Sequence, residues 1–129
     1  MKHLKTYKIF ESHSIPLMRF KYGESVLSEC DNMIDDIKDM VLELSDIGLS
    51  TTVGYTPMTI SCSDKTPKLI VEVQGDSLLC SYNEDDINSS FDRIKEYSSS
   101  KGYATGFGTW ERETSNGKNI SVYQMLIQK

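Results

Sequence analysis

The chain reads as an α+β protein, a two-layer sandwich with two helices on one face of an antiparallel sheet. Three observations point there. Residues 25–47 carry apolar side chains at helical spacing, with acid on the other side. Residues 68–73, KLIVEV, alternate as a strand does. Two strand-like runs near the end of the chain flank Ser115-Asn116-Gly117-Lys118, and Asn-Gly between such runs is a strong hairpin signal. Helices that each bury one stripe must cover a sheet face. The expected order is β-α-β-β-α-β-β, ferredoxin-like with an added last strand.

In chain order, residues 1–14 form a leader separate from a single domain over 15–129. Met1, Leu4, Tyr7 and Phe10 fall three apart, which suits a short amphipathic helix that needs a partner surface. Residues 15–23 alternate Met18, Phe20 and Tyr22 with Arg19 and Lys21, a strand pattern opened by Pro16 and closed by Gly23. Ser25 is the expected N-cap of the first helix. Its stripe is Val26, Leu27, Cys30, Met33, Ile34, Ile37, Met40, Val41, Leu44 and Ile47, and its wet face holds Glu29, Asp31, Asp35, Asp36, Asp39 and Glu43. Gly48 stops it.

Residues 49–62 are rich in Thr, Val, Ile and Tyr and read as a strand interrupted near Gly54 or Pro57. SDKTP is a turn. Leu69, Val71 and Val73 should face the core, and 78–82 is expected to return as a short strand after Gly75-Asp76. Asn83 caps a second helix whose stripe is Ile87, Phe91, Ile94 and Tyr97 or Ser98, ending at Lys101-Gly102. Residues 103–113 and 119–127 complete the sheet.

At 129 residues the chain suits one domain. A net charge of −5 argues against general nucleic-acid binding, which requires clustered Lys and Arg. No apolar run reaches the ~20 residues of a membrane span, and no apolar segment follows the basic first residues as in a secretory signal. The three cysteines, Cys30, Cys62 and Cys80, are far apart and odd in number. That pattern predicts free thiols in a reducing compartment and lacks the close ligand pairs of a zinc site.

The only histidines, His3 and His13, lie in the leader, so a Ser-His or Cys-His nucleophile on the domain is not expected. The acids of the first helix lack the EF-hand spacing. Gly106-Phe107-Gly108 is not a phosphate loop. Glu111 and Glu113, with Glu72 nearby, are the one carboxylate set that acid-base chemistry would use; a solvated strand surface explains them as well. No metal, cofactor or small-molecule substrate is expected.

The last hairpin is more informative. A two-residue Asn116-Gly117 turn places Trp110 opposite Tyr123, Phe107 opposite Leu126 and Gly108 opposite Met125. One face then holds Phe107, Ile120, Val122 and Leu126, and the other holds Trp110, Tyr123, Met125 and Ile127. Helices cover only one face. The Trp110, Tyr123, Met125 and Ile127 face is the expected protein-binding patch, open to a partner protein or to self-association through leader contacts from Leu4, Tyr7 and Phe10; the alternative is that this face is the core and the Phe107 face is partly covered by chain ends.

The leader, MKHLKTYKIFES, resembles the N-termini of uncharacterised small proteins of large tailed bacteriophages and the capsid-targeting peptides of internal head proteins in myoviruses. In that family the prohead protease cuts after a Glu with an aliphatic residue two before it. The resemblance therefore implies a processing site at Ile9, Glu11 and Ser12. IDDIKDMVLELSDIG, the hairpin and EDDINSSFDRIKEY are similar to the same class of phage proteins. The resemblance implies a bacteriophage source, with the protein in the host bacterial cytoplasm or the virion, and gives no activity; the expected function is that of a small non-enzymatic protein that works by binding protein. The alternatives are an early effector that inhibits a host or defence protein and, from another class, a carboxylate enzyme.

Overall fold

The computed structural model describes residues 22–56 and 66–129. Residues 15–21 of the expected strand at 15–23 fall outside the described residues, and Tyr22, which is described, is helical rather than extended; the leader, Cys62 and the alternation of Met58, Ile60 and Cys62 also lie outside. The described elements are α1 (Glu24–Asp46), β1 (Ser50–Tyr55), β2 (Leu69–Asp76), α2 (Ser77–Tyr82), α3 (Glu84–Ser100), β3 (Ala104–Glu113) and β4 (Asn119–Gln128). The four strands form one antiparallel sheet in the order β1-β2-β4-β3. The α+β class holds. In a ferredoxin-like order the first strand would lie beside β2; here β4 holds that place, pairing with β2 from Leu69↔Ile127 to Asp76↔Ile120.

The apolar stripe of α1 makes the core. Cys30, Met33, Ile37, Val41 and Leu44 are buried with Leu69, Val71 and Val73 of β2, Ile87, Phe91 and Ile94 of α3, and Met125 and Ile127 of β4. Ile47, expected on the stripe, is 39% exposed because the helix has already ended at Asp46. The first turn also differs: the N-cap is Gly23, at φ 83°, one residue before the helix starts at Glu24.

Both long helices end in the same way. Gly48 (φ 98°) donates to Ser45 O and Leu49 to Leu44 O; Gly102 (φ 84°) donates to Ser99 O and Tyr103 to Ser98 O. Each is a Schellman motif, in which a left-handed residue lets the chain satisfy the last carbonyls. Leu49 and Tyr103, the residues that follow, are both in the core.

The expected strand at 78–82 is a helix. Asp76 sits at the N-cap of α2 and its carboxylate accepts from the Leu78 N–H at 2.9 Å. That local bond favours a helical turn over an extended return. Cys80 turns into the core, while Leu78 and Tyr82 are exposed.

Candidate interaction surface on the last hairpin

The β3–β4 hairpin closes through a three-residue loop. Thr114 N–H donates to Lys118 O at 2.8 Å, Gly117 N–H donates to Thr114 O at 2.9 Å, and Gly117 has φ 79°. This is a tight turn followed by a left-handed glycine, the usual three-residue hairpin. The expectation was two residues. One extra loop residue shifts the register by one, which moves side chains relative to their cross-strand neighbours. Trp110 pairs with Val122, Phe107 with Met125 and Gly108 with Gln124.

The four residues expected in one patch are therefore divided. Met125 and Ile127 are buried beneath the helices, and Tyr123 packs against the same core. Trp110 stands on the opposite, outer face at 43% exposure, beside Val122 and on the same side as Leu126 (41%). Phe107, placed with Val122 and Leu126 by the expected register, is instead on the helix side. There it meets Phe91 edge-on, ring centroids 5.2 Å apart, and Tyr123 at 6.5 Å.

On the outer face Val122 is only 2% exposed, yet it is not part of the core cluster. Its register partners Trp110 and Gln74 flank it. Arg112 reaches across β4 to donate to Gln74 Oε1 at 3.1 Å. Gln124 donates to Glu72 at 3.3 Å. These polar tethers cover one half of the face. The other half is open: next to Gly106, a depression of about 380 Å³ is lined by Lys68, Ala104, Thr105, Gly106, Leu126, Gln128 and Lys129. Nothing lies within 4 Å of where a Cβ on Gly106 or Gly108 would stand.

The carboxylate set does not assemble. Glu72 lies on the outer face with Gln124, whereas Glu111, opposite Ser121, falls on the helix side of β3 with Glu113. Among the described residues there is no group of three or more His, Cys, Asp or Glu able to hold a metal ion, and no helix long and apolar enough to cross a membrane.

Elsewhere, polar groups tie the layers together. Tyr55 donates to Asp31 and Tyr97 to Asp36, and burial together with these carboxylates pushes both phenol pKa values upward. Arg93 of α3 pairs with Glu43 of α1 at 2.6 Å. Cys30 and Cys80 are free and buried, and burial raises both thiols, which makes them inert packing groups rather than nucleophiles. Cys30 Sγ lies 3.7 Å from the buried Tyr103 hydroxyl.

Leu4, Tyr7, Phe10 and the processing residues Ile9, Glu11 and Ser12 lie outside the described residues. At this surface, sequence reasoning missed the loop length and its consequence for register, and Thr114, whose hydroxyl also accepts from Lys118 N–H at 3.2 Å, is the signal that could have found them. Comparison with known proteins returned no matching family model, no matching curated protein and no matching solved structure.

Proposed function

We propose that this chain is a small non-enzymatic protein that works by binding protein, as a virion component or packaged cargo of a tailed bacteriophage. The observation that carries the binding half of this reading is the outer side of the hairpin. There Trp110 and Leu126 stay exposed beside a depression and a strand edge left open among the described residues, on a face that no described helix covers. An exposed aromatic next to a hollow is the kind of anchor that contact surfaces use. The bacteriophage half rests on the resemblance of the leader and of the two helical stretches.

The test has two arms. Mass spectrometry of purified virions should find the protein, with its first residue at Ser12. Capture by the full tagged chain from infected cells should lose its bound protein when Trp110→Ser is introduced and keep it when exposed Leu42 of α1 is changed to Ser. Equal capture by Trp110→Ser and wild type removes the hairpin from the reading. A second reading, an early effector that blocks a basic site, is favoured by the exposed Asp35, Asp39, Glu43 and Asp46 along α1. Absence from virions together with early expression would support it.

A further inference from the structure

We propose that the partner of the hairpin is a second copy of this chain, joined edge to edge through β3 in antiparallel register about a twofold axis at Gly108. This rests on the reading of the hairpin as a contact surface and names its occupant.

The edge is built to accept a strand. Among the described residues β3 has no strand on its outer side, and eight of its ten residues are exposed. Thr114 and Lys118 form a hydrogen-bonded pair, so bonding to β4 recurs at the even-numbered residues of β3. The N–H and C=O groups of Thr105, Phe107, Thr109 and Glu111 consequently point to the open edge. The strand has no Pro and no Lys, its charged residues Glu111, Arg112 and Glu113 are gathered at one end, and among the described residues no element lies beyond it.

Self-complementarity selects the second copy and the register. Trp110 is a knob and Gly106 borders a hollow, and both lie on the outer face of one strand. An antiparallel twofold at Gly108 sets every residue i opposite 216 − i, so Trp110 of each copy meets Gly106 of the other. An aromatic laid across a cross-strand glycine is a stabilising device of sheets. The same register sets Phe107 against Thr109 and Glu111 against Thr105. It also brings the Glu111 and Glu113 end of one strand to the end where Lys68 and Lys129 of the other line the hollow. Moving the axis to Thr109 would press Phe107 against Glu111; moving it to Phe107 would leave the hollow unfilled.

The experiment uses the full chain. Sedimentation equilibrium over a range of concentrations should give the mass of two chains at the high end for the wild type. Gly106→Trp fills the hollow where the Cβ meets open space, so the fold persists by circular dichroism, but knob meets knob and the mass should fall to one chain. Adding Trp110→Gly to that variant exchanges knob and hollow on the same strand and should restore the dimer. Gly108→Cys sits on the axis at a non-hydrogen-bonded pair, with Cα atoms about 4.5 Å apart, within the ~4.4–6.8 Å a disulfide spans. It should cross-link to its own copy on oxidation, and Gly106→Cys should not. A wild type that stays monomeric, a dimer indifferent to Gly106→Trp, or failure of the exchanged variant to re-form it overturns the proposal. A monomer whose capture of another protein still depends on Trp110 would leave the binding reading standing without this partner; a dimer with no Trp110-dependent capture would do the reverse.

Discussion

β1 is six residues long, lies against α1 and has its last residue, Tyr55, bonded to Asp31 of that helix. β3, at the other edge, is ten residues long, and only two of them are even half-buried. Both are edge strands of the same sheet among the described residues, with the same unpaired backbone groups. One is short and backed by a helix; the other runs well past its cover. Natural sheets blunt edges by shortening or covering them; among the described residues β1 follows that rule and β3 does not.

The largest expected effect lies at the closed side of the sheet. Ile37→Ala, at a fully buried core position between helix and sheet, should cost about 2–5 kcal/mol in urea unfolding, with variant and wild type measured at the same protein concentration. A loss within ~0.5 kcal/mol, as for surface changes, would mean α1 is not what closes that side. Next in size is the hairpin loop. Gly117→Ala forces a Cβ into the left-handed region and should cost about 1–2 kcal/mol, while Gly108→Ala, facing open space, should cost much less in the isolated chain. Equal costs would show that the loop does not set the register.

Tyr55→Phe removes one tether of the closed edge, about 1 kcal/mol for one hydrogen bond, and alters the alkaline limb. Tyr55 has a raised pKa in the folded chain, because of burial first and Asp31 second. Its contribution is fully present below the unfolded tyrosine value of about 10 and is lost as pH rises beyond it, since only the unfolded chain then ionises readily. Urea midpoints between neutral pH and pH ~11 should fall less steeply in Tyr55→Phe than in wild type. The smallest effect concerns the thiols: Cys30 and Cys80 should react with a thiol reagent only after denaturant is added, and rapid labelling of either in the native chain would contradict their burial.

Much of this architecture was legible because it is local. Steps of three and four named the buried face of α1, Gly48 and Gly102 named both helix ends, and alternation placed Leu69, Val71 and Val73 inside. The short helix α2 was not legible, because six residues are too few to show a helical period and Leu78, Leu79 and Cys80 form an unbroken apolar run. The Asp76 cap was the only local clue. Strand order was not legible either: the placing of β4 beside β2 is a long-range choice that no window of sequence contains. The candidate surface was half legible. Trp110 was named, but its companions were taken from the wrong side, because an Asn-Gly pair fits two loop lengths and the side-chain alternation of a strand turns one residue of loop into an exchange of neighbours.

The twin Schellman ends have a consequence for how the molecule opens. The amides of Leu49 and Tyr103 are bonded back across the helix end, and their side chains lie in the core, each 3% exposed. Helix ends ordinarily fray and exchange their hydrogens with solvent first. Here the final bond of each helix and the first residue leading into the next strand share one anchor, so neither end can loosen without drawing a core side chain out. In hydrogen exchange, those two amides should be among the slowest in the chain although they sit at the boundaries of their elements, and helix and following strand should open as one unit.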